Sequence, residues 1–376
     1  MYKLLSYVAL IVLLLVGTNH VSAQELVVGA DFTTLFDNRE YAGMEIDESG
    51  TLFSARLTPK IGVEWQESNR LILGVDLVQD FGDNAKFLSD ANVQLYYAFT
   101  KPNIKLFAGI FPFKELRGLE SPLFFDRGYR YYHNTMSGVL ARYEWAEPTR
   151  GGGDSYIEFA MDYTGMRKVN SREAFMILSS ARYAPKIENS AVVPYCGYDF
   201  MMGHYAKDYD PLTEEGVVDN LLLTPHIGSM FNIATGNTKA PVVIDLRLSY
   251  ILSLQRDRHF ENEWQSPMGG ELYLAAEWRG LSLSNRLYAG TSAPFTYYNR
   301  YGTELYHGTQ HYAANIGGGI YNSTTLAYEQ LFFNNTLGVV AGISIEYDGT
   351  ACGTRQWLQV NVNLDYGFKL CAKNKN

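Results

Sequence analysis

From Leu358 to Leu370 the chain alternates apolar and polar side chains almost without error. Leu358, Val360, Val362, Leu364, Tyr366, Phe368 and Leu370 are apolar, and Gln359, Asn361, Asn363, Asp365, Gly367 and Lys369 lie between them. Successive side chains on a β-strand point to opposite faces, so such a segment has one apolar and one polar face. A single strand of this kind fits many β proteins. Here the pattern recurs along the whole chain, and that narrows the choice.

The first residues read as a secretory signal. Lys3 supplies the charged start, Ala9 to Val16 the apolar run, and Val21-Ser22-Ala23 a cleavage site before Gln24. The expected division is therefore 1–23 as signal peptide and 24–376 as the mature protein. After Gln24 no apolar run approaches the roughly 20 residues of a membrane-crossing helix. A β-barrel passes that test unseen, because only alternate residues of its strands face lipid.

Sixteen candidate strands follow one another. The first eight are Leu26–Thr33, Thr51–Gln66, Arg70–Gln79, Ala91–Thr100, Ile104–Phe111, Ser137–Glu147, Ser155–Tyr163 and Arg172–Ala184. The rest are Ala191–Gly203, Asp219–Asn232, Pro241–Gln255, Gly269–Trp278, Leu281–Gly290, Thr324–Phe333, Leu337–Tyr347 and Thr354–Leu370. The links between them alternate long and short. Short ones include Glu67-Ser68-Asn69, Arg279-Gly280 and Asn334-Asn335, and the long ones include 112–136 and 291–323. An even strand count, short turns at one end and long loops at the other predict an all-β, transmembrane antiparallel barrel of about sixteen strands. One miscounted hairpin would make it fourteen or eighteen. The last strand must then pair with the first. Trp357 breaks the alternation at the outer end of that last strand, where a bulge or a girdle position would be tolerated.

Parity decides which face meets lipid. In the second strand Phe53, Ala55, Leu57, Ile61 and Val63 share one face, and Arg56, Thr58, Lys60 and Glu64 share the other. In the eleventh, Val242 to Leu254 alternate with Asp245, Arg247, Ser249 and Ser253. A mid-strand Arg or Lys facing lipid costs roughly 2–4 kcal/mol at the bilayer midplane. The charged face must therefore see water, and sixteen strands enclose a lumen too wide for wall side chains alone to fill. Trp65, Tyr97, Tyr143, Trp145, Tyr163, Tyr183, Tyr250, Trp278 and Tyr366 lie near strand ends on the outward parity and read as interfacial aromatic girdles.

Candidate pore-wall residues include Arg56, Lys60, Lys105, Arg142, Asp245, Arg247 and Asp365. The wall as a whole carries both signs and is mildly acidic. That predicts a weakly selective pore for small hydrophilic solutes, with at most a slight cation preference. The net charge of -9 argues against a nucleic-acid partner.

The link 112–136 carries Lys114, Glu115, Arg117, Glu120, Asp126, Arg127 and Arg130, together with six Phe and Tyr rings. A sixteen-stranded barrel with a long, charged third loop resembles the general porins of Gram-negative outer membranes. The segment from Phe111-Pro112-Phe113 through Tyr131-Tyr132 to Ser137-Gly138 also resembles porin-like proteins of Bacteroidetes. The resemblance implies an outer-membrane location, lipid and lipopolysaccharide around the barrel, ion and solute transport, and a homo-trimer. It further implies that the third loop folds into the lumen as a constriction built from Glu115, Arg117, Glu120, Asp126, Arg127 and Arg130. In that family acidic loop groups face basic wall groups, so Glu115, Glu120 and Asp126 would face Arg56, Lys60 and Lys105. The charges of this loop sum to +1, which departs from the predominantly acidic family loop.

The remaining features point less sharply. The seventh outer loop, 291–323, holds many aromatics that would suit sugar stacking or simply pack on one another, with His307 and His311 among them. No cofactor and no metal site is expected, and Cys196, Cys352 and Cys371 fit no metal spacing. A barrel acting as a surface assembly partner or adhesin is an alternative, as is a lipid-modifying enzyme. The latter needs a nucleophile and base oriented together. His226 falls on the inward parity and Ser229 on the outward one, and no nucleophile elbow is present, so the reading is of a protein that is not an enzyme. Asn285 and Gln330 stand on the lipid-facing parity of neighbouring strands, marking either a subunit contact or a bulge.

Overall fold

The computed structural model describes residues 24–46, 49–83, 85–145, 154–166, 173–185, 187, 190–206, 217–235, 241–258, 261–291 and 317–369. The expected signal peptide, the end of the chain from Leu370 and most of the seventh loop, with His307 and His311, lie outside these residues.

Seventeen strands form one sheet. They are β1 (Gln24–Glu40), β2 (Gly50–Trp65), β3 (Asn69–Asp80), β4 (Asp90–Lys101), β5 (Ile104–Pro112) and β6 (Thr135–Glu144). Then come β7 (Tyr156–Gly165), β8 (Glu173–Tyr183), β9 (Val192–Ala206), β10 (Val218–Ile233), β11 (Val242–Asp257) and β12 (Glu261–Gln265). The last are β13 (Met268–Trp278), β14 (Leu281–Gly290), β15 (Ile320–Phe332), β16 (Leu337–Tyr347) and β17 (Cys352–Lys369). A short helix, α1 (Arg127–Tyr132), lies between β5 and β6.

Neighbours pair antiparallel throughout, and β1 pairs with both β2 and β17, which closes the barrel. The five-residue β12 pairs only with β11, while β11 pairs onward with β13. Sixteen strands therefore make the wall, as expected, and β12 is a flap on its rim. The closing register sets Leu26 opposite Phe368 and Phe32 opposite Val362, which is the expected seam.

Side-chain parity follows the sequence pattern. On β11, Leu246, Leu248 and Tyr250 are 40%, 55% and 47% exposed, while Ser249 is 7% and Gln255 1% exposed. Asp76, Arg142, Glu158 and Glu271 are buried inside the barrel. Apolar residues outside and charges inside invert the order of a water-soluble protein, so the wall faces lipid. A closed barrel is one of the two structures that satisfy every backbone group in a bilayer, and this one resides in the outer membrane.

The short turns use the residues their geometry requires. Arg279 and Gly280 both have positive φ, at 50° and 83°, the arrangement of a two-residue hairpin turn whose twist matches the strands. A Cβ on Gly280 would collide with the Glu329 carbonyl. Phe333, Asn334 and Asn335 turn likewise, with φ of 51°, 54° and 68°.

Two sequence expectations change. The first strand runs seven residues beyond Thr33, because the polar run Asp37-Asn38-Arg39-Glu40 continues the ladder with Arg39 opposite Arg355. Trp357 makes no bulge: its register with β1 and β16 is unbroken, and it is only 7% exposed. Its neighbour Leu358 faces lipid at 46% exposure, so Trp357 is an apolar residue on the lumen parity.

Candidate functional site

The chain leaves β5 at Pro112, makes one tight turn over Phe113–Glu115, runs through α1 and returns at Thr135. The rings of this third loop explain its course. Phe113 packs edge-on to Phe125 at 5.1 Å, and Phe125 lies 4.8 Å from Tyr129. With Leu116, Leu119, Leu123 and Phe124 they join one buried cluster that includes inward residues from across the barrel, such as Ile72, Met201, Ile251, Tyr288 and Tyr321. The core of this barrel is therefore inside the lumen, and the loop supplies much of it. Its apolar residues could not stay in bulk water without losing the burial that stabilises them.

Polar groups fix the loop at several points. Asp126 caps α1 by accepting from the Tyr129 amide at 2.7 Å. Glu158 of β7 accepts from the Arg117 and Gly118 amides at 3.1 and 3.0 Å, and pairs with Arg142 at 2.8 Å. The Leu119 amide donates to Asp199 of β9 at 3.2 Å. On the other side Asp126 pairs with Arg39 of β1 at 2.8 Å, and Arg355 of β17 bonds Asp37 and approaches Asp126 at 3.6 Å. Tyr131 is held by Ser54, which donates to its hydroxyl at 2.7 Å, and by Arg56, which donates to its carbonyl. The loop is thus tied to β1, β2, β7, β9 and β17 and crosses the lumen.

What remains beside the loop is a cavity of about 730 Å³. Lys114, Glu120, Arg127 and Arg130 line it from the loop, and Arg286 and Arg355 are among the wall groups facing them. Among the residues expected at a constriction, Glu120, Asp126, Arg127 and Arg130 all border this space. Arg117 does not border it. It is spent on the wall, pairing with Glu144 at 3.1 Å and with Asp154. Glu115 sits at the root of the loop, where its carbonyl accepts from Arg142 at 2.8 Å. Burial pushes its carboxyl above the usual range, against the pull of Lys114, Arg142, Lys105 and Lys60.

The wall residues differ in their partners. Arg56 faces the cavity but is paired with Asp76. Lys60 lies 3.4 Å from Asp31, which also pairs with Lys114 at 2.9 Å. Lys105 stands 4.0 Å from Glu144, and Arg142 is paired with both Glu144 and Glu158. Asp245 accepts from the Tyr195 hydroxyl at 2.5 Å, and Arg247 stands 4.0 Å from Glu271. Asp365 is exposed and lies 3.6 Å from Arg70, near the seam end that carries Glu25 and Lys369. Acidic loop groups face basic wall groups at two places, and only Glu115 has the expected partners around it. Asp126 meets Arg39 and Arg355 instead of Arg56, Lys60 or Lys105.

Asp37, Arg39 and Arg355 lie outside the expected set: Arg39 and Arg355 face Asp126 of the loop, and Asp37 holds Arg355. Asp37 and Arg39 stood in a polar run read as loop, and Arg355 stood in the last strand without a partner near it in sequence. Trp357 belongs with them, since the Arg127 guanidinium stacks over its ring at 4.5 Å. The inward parity expected for His226 holds. Its Nδ1 lies 3.3 Å from the Thr224 carbonyl, and the ring borders a cleft of about 10 Å³ shared with Ser121, Asp199 and Ser249. Asn285 faces lipid with no break in register on either side, so no bulge moves it. Its amide donates to Asn322 at 3.2 Å and to Thr324 at 2.8 Å. Among the described residues no cluster of His, Cys, Asp and Glu is placed to hold a metal ion.

The model of a family described as lipid A 3'-O-deacylase-type matches residues 18–371. This corrects the expectation that the chain is not an enzyme, because the family is named for a hydrolytic activity. That expectation rests on the lack of a nucleophile elbow and on the opposite parities of His226 and Ser229, and neither excludes a nucleophile and base placed elsewhere on the wall. No curated protein matches. Solved structures similar in architecture include OprB of Pseudomonas putida, at 9% identity and a TM-score of 0.47, covering 90% of this chain and 94% of that one. The outer membrane protein OpdK of Pseudomonas aeruginosa is 12% identical, with a TM-score of 0.38 and coverage of 92% and 99%. The outer membrane channel DcaP of Acinetobacter baumannii is 12% identical, with a TM-score of 0.41 and coverage of 92% and 96%.

Proposed function

The chain belongs to the lipid A 3'-O-deacylase-type family, and we propose that its barrel is an outer-membrane channel for small hydrophilic solutes, narrowed by the third loop. The observation that carries this reading is the division of the loop into two faces. Its rings are buried against the lumen wall, while Lys114, Glu120, Arg127 and Arg130 face a cavity of about 730 Å³. A constriction selects by its width and by the charge that lines it. In this reading Glu120, Asp126, Arg127 and Arg130 form the narrow zone. Glu115 and Arg117 hold its base, and the paired wall residues set a screened background. Liposomes containing the purified protein should swell in sugars of low mass and resist larger ones. Absence of flux for every sugar would refute it.

The family match favours a second reading, removal of an acyl chain from lipid A. In that reading His226 is the candidate base, with Asp199 and Ser249 beside it in the same cleft. Mass spectrometry of lipid A incubated with the purified protein tests it. Loss of one acyl chain with the wild type but not with His226→Ala would establish hydrolysis at this cleft. Intact lipid A in both would leave the channel reading alone.

A further inference from the structure

The arginines that line the lumen cavity are of two kinds. Arg56, Arg286 and Arg355 each have a carboxylate in contact: Asp76, Glu271 and Asp37. Arg127 and Arg130 line the same cavity, and no carboxylate of the described residues stands at ion-pair distance from either. They are three residues apart on α1 and so project from one side of it. Both are half-buried.

Their surroundings fix the planes of the guanidinium groups and leave most of their edges free. Arg127 stacks over the Trp357 ring at 4.5 Å and reaches Gln359 Oε1 only at 3.4 Å. Arg130 lies over Phe113 and Phe125 at 5.4 and 5.8 Å and donates to the Leu119 carbonyl at 2.6 Å. A guanidinium has five N–H donors in a rigid fork, so each retains donors that a planar oxyanion can take in pairs. Burial brings Arg127 down to about 10, so it is still cationic at neutral pH. In a partly desolvated site a charge-assisted pair gains more than it would in bulk water. The cavity is of the size that encloses a small organic molecule.

We propose that Arg127 and Arg130 bind the carboxylate of small organic acids entering the lumen, and that the channel therefore prefers anions. The transport half of this rests on the channel reading; the binding half does not. Glu120 and Glu329 line the same cavity and are exposed. They disfavour a second carboxylate on the solute, so a monocarboxylate is preferred to a dicarboxylate. The mild cation preference expected from the wall composition does not follow from this geometry, because most wall charges are already paired.

Two measurements test the proposal on the full chain in detergent and in planar bilayers. In titration calorimetry, benzoate should bind the wild type, and binding should weaken at least tenfold in Arg127→Gln/Arg130→Gln. Inorganic phosphate and succinate serve as comparison ligands, with barrel integrity followed by circular dichroism. In a potassium chloride gradient the wild-type reversal potential should indicate chloride preference, and the double variant should shift toward potassium. Benzoate that fails to bind the wild type, or binds the folded variant equally well, overturns the proposal. So does succinate or phosphate binding more tightly than benzoate. Binding that depends on the two arginines in a protein without conductance supports the site and sinks the channel reading alone.

Discussion

Charges taken out of water cost several kcal/mol each unless they find partners of good geometry. Asp126 has them: the Arg39 guanidinium at 2.8 Å, Arg355 at 3.6 Å and the Tyr129 amide at 2.7 Å. Asp126→Ala removes the carboxylate that two buried arginines face and also uncaps α1. We expect a loss of about 3 kcal/mol, the low end for breaking a buried pair, because Asp37 still serves Arg355. Denaturant unfolding in detergent micelles measures it, and a loss below about 1 kcal/mol, the range of an exposed pair, would count against a buried latch. Glu115 behaves oppositely. Its folded pKa is raised by burial, so the fold favours its neutral form. Its contribution is greatest below the ordinary carboxylate value and is lost as pH rises through the folded pKa. Glu115→Gln should therefore raise the thermal midpoint near about pH 7 and leave it unchanged near about pH 3. A variant less stable than wild type near neutral pH would show that the cations around it outweigh burial.

At the scale of elements, the third loop is the part that fills the lumen, and in the proposed channel reading it sets what passes. Gly118 marks its closest approach to the wall: a Cβ there would meet the Ser180 side chain, while its amide bonds Glu158 at 3.0 Å. Gly118→Leu should displace the loop from β7 and β8 and raise single-channel conductance several-fold without loss of the barrel. Unchanged conductance would mean that the loop does not set the bore. The strands were legible in the sequence because lipid on one side and water on the other impose a strict two-residue period. The short turns were legible because Arg279-Gly280 and Asn334-Asn335 occur where positive φ is needed. The end of β1 was not, because Asp37 and Arg39 read as solvated loop until Asp126 and Arg355 stand beside them. Trp357 was misplaced for a similar reason: alternation alone cannot show that a lumen holds an aromatic to seat Arg127. The loop charges were identified by composition, but their division into paired and unpaired groups depends on partners far apart in the chain.

For the whole molecule, the lipid face is apolar except at a few places. Asn285, Asn322 and Thr324 form a hydrogen-bonded group on β14 and β15 with its polar atoms on that face. Polar groups on a lipid-facing surface suit a contact with another copy better than contact with lipid chains. Asn285→Leu should reduce the apparent mass of the assembly on native electrophoresis, and an unchanged mass would remove this face from consideration as a subunit contact. In the proposed channel a closed sixteen-stranded wall carries a lumen whose bore is set by its own third loop. Single-channel conductance of the wild type and of a variant with residues 116–131 replaced by a short Gly-Ser link tests it most directly. Small, discrete steps are expected for the wild type and steps several-fold larger for the variant. Equal steps, or a wild type that never conducts while the variant does, would contradict it.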